Sequence, residues 1–141
     1  MKTEDNWPIR CQIILHETQN SKWKTYNWHI EQINLQPVSS DVGMDAEIQL
    51  FRDERTDYRF NLNSHNPKLF VVLENDIEQL SLVSVTVSQS VAGSYLDGDY
   101  LVLSVDLPLA VHAWMEAYLA RHGELIEHKR KKRKGAGRAS Q

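Results

Sequence analysis

The chain has 141 residues, enough for one domain that buries roughly two-thirds of the surface of the unfolded chain. Its single cysteine, Cys11, excludes an internal disulfide, and the sequence shows neither an apolar signal segment nor an unbroken apolar span. We therefore expect a cytoplasmic protein without a membrane span. Residues 1–128 carry nine basic and 19 acidic side chains, a net charge of −10, whereas residues 129–141 carry seven basic and no acidic ones.

We expect residues 1–7 to be a flexible N-terminus and residues 8–123 to form a single β-rich domain. The first strand is predicted over about Ile9 to Glu17, because apolar and polar side chains alternate there. Cys11 belongs to the apolar face of this strand, which indicates a small core residue rather than a reactive thiol. A polar turn at Gln19 to Lys22 ends the strand.

Three aromatic residues, Trp23, Tyr26 and Trp28, follow that turn. They have two interpretations: an exposed platform for a partner protein or for stacked bases, or core anchors beside the first strand. Core burial is favoured, because each large aromatic ring buries about 150 to 250 Å², but all three are retained as candidate partner contacts. A strand is predicted over Trp28 to Leu35, with a β-bulge where its apolar face changes, at Glu31-Gln32.

The long loop Gln36 to Asp45 leads to an apolar segment that predicts an antiparallel meander. Alternation and turn signals divide this segment into three strands, at residues 48–53, 58–63 and 69–73. In the second strand, Tyr58, Phe60 and Leu62 are expected on one face, with Arg59, Asn61 and Asn63 on the other. The third strand is an unbroken apolar run, which is typical of a strand buried on both faces.

The remaining elements are predicted from short local signals. A strand at Leu82 to Ser88, a helical turn at Ser90 to Leu96 and a last strand at Tyr100 to Asp106 precede a helix at Leu109 to His122. Pro108 opens this helix, with Asp106 or Leu107 at the cap, and Gly123 ends it. Trp114 and Tyr118 are predicted on its buried face, because they belong to a set of residues at helical spacing, which are Ala110, Ala113, Trp114, Ala117, Tyr118 and Arg121.

The predicted fold is mostly β, with about seven antiparallel strands in a sandwich or a partly open barrel, capped by the C-terminal helix. This order of elements is that of pleckstrin-homology-like barrels, an analogy that carries no function by itself.

No catalytic, cofactor-binding or metal-binding residue is predicted. Asp97-Gly98-Asp99 could hold a divalent ion, but Asp-Gly is a strong turn signal and a turn before the last strand explains it. The six histidines include no pair four residues apart and no companion cysteines. Glycine-rich phosphate loops and nucleophile elbows are also missing from the sequence.

Residues 124–141 are predicted to be a disordered basic tail. Its candidate partner contacts are the six consecutive basic residues Lys129, Arg130, Lys131, Lys132, Arg133 and Lys134. The tail is either a solubilising segment or an electrostatic tether to an acidic protein, nucleic acid or anionic lipid. The acidic body repels nucleic acid, so any such binding should require the tail.

Several separated motifs resemble those of one known family. They are the segment LFRDERTDYRFNLNSHNPKLFVVL (residues 50–73), Trp23 with Trp28, Tyr95-Leu96-Asp97, Pro108 with Trp114, and the basic end. The family is a small proteobacterial one of unknown function, whose genes lie beside those of molybdenum-dependent formate dehydrogenase and its maturation proteins. The resemblance covers roughly Pro8 to Lys134.

This resemblance implies a non-enzymatic accessory protein in the maturation or assembly of formate dehydrogenase, with an enzyme subunit or a maturation factor as partner. It implies no catalytic residue and no cofactor. Some members carry a label for molybdopterin-guanine dinucleotide synthesis, but that activity would require an α/β domain with a glycine-rich loop. The competing hypothesis is a nucleic-acid-binding or ribosome-associated protein that uses the basic tail.

Overall fold

The computed structural model describes residues 1–20, 22–38, 42–75 and 79–123. The strands are β1 (Asn6–Asn20), β2 (Trp23–Asn34), β3 (Met44–Gln49), β4 (Lys68–Asn75), β5 (Leu80–Thr86) and β6 (Tyr100–Asp106). The α-helices are α1 (Arg55–Leu62), α2 (Gln89–Ser94) and α3 (Leu109–His122). A 3-10 turn (Arg52–Glu54) precedes α1, and another (Tyr95–Asp97) follows α2.

The six strands form one mixed sheet in the order β2-β1-β3-β5-β4-β6. Neighbouring strands are antiparallel except β3 and β5, which are parallel and meet at Ile48 and Val85. The two outer strands, β2 and β6, approach each other, so the sheet nearly closes into a barrel. The predicted fold class, mostly β with a C-terminal helix, is confirmed.

The prediction of a strand over residues 58–63 is wrong, because residues 58–62 lie in α1 and Asn63 is its C-cap. Tyr58 and Leu62 are buried as expected, but Phe60 is 64% exposed. The four-residue spacing of Tyr58 and Leu62 satisfies a helical period as well as a strand period, and the buried Asn61 completes the helical face. The sheet therefore has six strands rather than about seven, and β3 reaches β4 through a helix.

The predicted bulge in β2 is confirmed. The register between β1 and β2 shifts by one residue at this point, and Glu31 faces no residue of β1. Because of this extra residue, Ile30 and Ile33 both point into the barrel, where they pack against the core. Their spacing in the sequence would place Ile30 and Ile33 on opposite faces of a regular strand, and the bulge returns both to the inner face.

Helix α3 packs across the barrel and has the predicted bounds. Pro108, rather than Asp106 or Leu107, occupies the N-cap position, and Gly123, at φ +79°, ends the helix in a conformation that disfavours other residues. The buried residues of α3 are Val111, Trp114, Met115, Tyr118 and Leu119. The predicted burial of Trp114 and Tyr118 is thus confirmed, whereas the other residues at the same spacing are exposed, namely Ala110, Ala113, Ala117 and Arg121.

The N-terminal residues, expected to be loose, make defined contacts with the domain. Trp7 is a buried core residue at the start of β1. The indole N–H of Trp114 donates a hydrogen bond to the Thr3 carbonyl oxygen (2.8 Å), and the backbone N–H of Leu50 donates one to the Asp5 carbonyl oxygen (2.8 Å). The predicted domain boundary at residue 8 therefore excludes residues that belong to the fold.

Candidate partner-binding surface

Strands β1 and β2 form a long hairpin whose outer half extends beyond its neighbouring strand. β3 pairs with β1 only from Asn6 to Cys11, whereas the pairing with β2 continues to Asn20. In the outer half, Leu15 lies opposite Trp28. Residues that face each other across a strand pair share one side of the sheet, so both side chains continue the apolar inner side of the barrel.

An open groove of about 550 Å³ lies between this half of the hairpin and β6. It is lined by Leu15, Tyr26, Asn27, Trp28, Leu101 and Leu103, and we call it the seam groove. Its two walls belong to the outer strands of the sheet, each of which pairs with only one strand in the described part of the chain. The groove is thus an apolar surface flanked by two strand edges.

The structure separates the three aromatic residues that the sequence groups together. Tyr26 and Trp28 line the seam groove, where Tyr26 is 56% exposed and Trp28 is half-buried. Trp23 lies at the hairpin tip, 67% exposed. Since side chains alternate along a strand, Trp23 is on the opposite face of β2. The core-anchor interpretation is therefore wrong for Trp23 and Tyr26.

The other candidate contacts of the sequence analysis, Lys129 to Lys134, lie outside the described residues. Conversely, the sequence analysis did not identify Leu15, Leu101 and Leu103 as residues that line a groove. The alternation of apolar and polar residues correctly places these leucines on the inner side of the barrel. They are accessible only because a gap remains between β2 and β6.

The titratable groups with the largest pKa shifts lie elsewhere and serve packing. Burial raises the pKa of the Cys11 thiol to about 12, and the residue is fully buried, which confirms its prediction as a core residue. Burial also raises the pKa of Tyr58, whose hydroxyl accepts a hydrogen bond from the Phe51 N–H (2.7 Å) and donates one to Glu54 (2.9 Å). These contacts fasten α1 to the end of β3.

Within the described ranges, no group of three or more histidine, cysteine, aspartate or glutamate side chains could hold a metal ion. Gly98 and Asp99 form a turn before β6, as predicted. Of the helices in the described part, none has the length and apolar character needed to cross a bilayer.

The fold and the seam groove define a small, barrel-like β domain with a helix over its core and an open apolar groove between its outer strands. The chain belongs to the family described as Protein of unknown function (DUF3305), whose model matches residues 11–133. The resemblance to a family of unknown function that covers most of the chain is thereby confirmed. No curated protein and no solved structure matches the chain.

Proposed function

We propose that this protein is a non-enzymatic accessory protein of the cytoplasm that binds a subunit of molybdenum-dependent formate dehydrogenase, or one of its maturation factors, during assembly. The family resemblance motivates the choice of partner. The observation that supports an interaction role is the seam groove, a concave surface between two strand edges that is lined mainly by apolar and aromatic side chains, as binding sites usually are.

The proposed interface has an apolar part and an electrostatic part. Tyr26 and Trp28 supply the apolar part, since aromatic side chains are enriched at the centres of protein interfaces. The tail, with seven basic residues after His128, supplies the electrostatic part. The two parts should respond differently to salt, because the screening length falls from about 10 Å at 0.1 M to about 3 Å at 1 M.

We expect Tyr26→Ala to weaken capture of the formate dehydrogenase catalytic subunit or its cofactor-delivery protein at low and at high salt. Deletion of Lys129 to Gln141 should weaken capture at low salt only. Phe60→Ala is the matched control, because Phe60 is an aromatic residue of similar exposure that lies on α1, outside the groove. Quantitative pull-down from the native cell extract measures all three. If the Tyr26→Ala and native proteins capture the partner equally well, the groove is not part of the interface.

A gene deletion should lower formate dehydrogenase activity without abolishing transcription of its subunits. Activity should return with the native gene and with Phe60→Ala, but less with Tyr26→Ala. Capture should also favour the immature enzyme over the mature one. Unchanged activity in the deletion strain, together with capture of ribosomal proteins or nucleic acid alone, would contradict the maturation role.

The second candidate function is binding to nucleic acid or the ribosome through the tail, which the separation of charge along the chain favours. A chain ending at His128 should then lose all such binding. Its melting temperature should change by no more than about 2 °C, because residues 129–141 contain no large apolar side chain. A larger drop would mean that the tail stabilises the fold, and loss of binding could not then be assigned to charge alone.

A further inference from the structure

Two histidines lie side by side on the outer face of the hairpin. His16 of β1 pairs with Asn27, and His29 of β2 pairs with Ile14, so the two histidines are diagonal neighbours across the strands. Their ring centroids are 5.1 Å apart, with the ring planes at 80°. Both residues are exposed. Apart from this ring contact, neither imidazole has a partner among the described residues, so their nitrogens are available to a ligand.

This separation is compatible with a metal ion shared by the two rings. Zinc binds histidine nitrogen at about 2.0 to 2.1 Å with tetrahedral angles, which places the centroids of two coordinating rings about 5 Å apart. Imidazole is a preferred ligand of Zn²⁺, Cu²⁺ and Ni²⁺, whereas Mg²⁺ and Ca²⁺ prefer oxygen. Both rings are attached to paired strands, so the backbone that carries them needs no rearrangement when an ion binds.

We propose that His16 and His29 form a two-histidine site for a borderline divalent metal ion such as Zn²⁺, with water completing the coordination. The two histidines are 13 positions apart in the sequence and form no local motif, so only the hairpin register brings them together. The site lies on the opposite face of β2 from the seam groove and does not depend on the proposed function.

Isothermal titration of the full chain with Zn²⁺ should show one ion bound per protein. His16→Ala and His29→Ala should each lower the affinity by about tenfold or more, since removing even an outer-shell partner of a metal ligand costs that much. The double variant should bind Zn²⁺ about as weakly as the weaker of the two single variants. Each single variant keeps only one imidazole, which cannot chelate the ion. His65→Ala is the matched control, since His65 is exposed in the turn before β4.

A second measurement uses the native chain and needs no variant. Sub-stoichiometric Cu²⁺ should broaden the imidazole proton resonances of His16 and His29 before those of His65 and His112. Zinc affinity that is unchanged in His16→Ala and His29→Ala, or equally reduced in His65→Ala, would overturn the proposal. Broadening that begins at other histidines would also overturn it.

Discussion

Replacing Trp114 by alanine is expected to lower the free energy of unfolding by about 3 to 5 kcal/mol. The side chain is 7% exposed and packs edge-on against Trp7, with the ring centroids 5.3 Å apart. Its truncation leaves a cavity between α3 and β1 and removes the hydrogen bond from the indole N–H to the Thr3 carbonyl oxygen (2.8 Å). Urea denaturation followed by circular dichroism measures the loss.

Two further variants separate the contributions. Trp114→Phe keeps most of the ring but loses the hydrogen bond to Thr3, so it should cost less than Trp114→Ala. Trp23→Ala should change the free energy of unfolding by no more than about 0.5 kcal/mol, because the side chain is exposed at the hairpin tip. If Trp23 contributes to docking, Trp23→Ala should weaken partner capture. An equal loss of stability at Trp23 and Trp114 would assign Trp23 to the core.

Local signals explain the elements whose bounds could be predicted. Strand β6 begins after an Asp-Gly turn, and α3 lies between Pro108 and Gly123, so the residues that set these bounds are adjacent to them in sequence. The bulge at Glu31 was predictable for the same reason, because a change in apolar alternation is visible within one strand.

The predictions fail where one residue spacing fits both a strand and a helix, or where segments distant in sequence determine the structure. Tyr58 and Leu62 fit both a strand and a helix, and the exposed Phe60 together with the buried Asn61 distinguishes the helix. The seam groove depends on how nearly β2 and β6 meet, and the histidine pair depends on the register of β1 with β2. The spacing of residues along one strand determines neither the groove nor the histidine pair. Sequence patterns could therefore indicate which face of a strand a residue occupies, but not these two sites.

Asn61 is the clearest case of a polar residue whose role only the structure reveals, and its replacement should also have a large effect. The side chain is 4% exposed. Its amide group donates hydrogen bonds to the carbonyl oxygens of Lys68 (2.8 Å) and Val87 (2.9 Å), and its oxygen accepts one from the Lys68 N–H (2.9 Å). One side chain thus joins α1 to the start of β4 and to the residue after β5.

We expect Asn61→Ala to lower the free energy of unfolding by about 3 kcal/mol or more, since each buried backbone group left without a partner costs about 1 to 3 kcal/mol. Asn61→Asp should be at least as damaging, because it replaces the donating amide with an acceptor that faces two carbonyl oxygens. Asn63→Ala is the matched control, two residues further along and exposed, and should stay within about 0.5 kcal/mol of the native protein. Denaturation midpoints of Asn61→Ala and Asn63→Ala that coincide would show that the amide network does not hold α1 to the sheet.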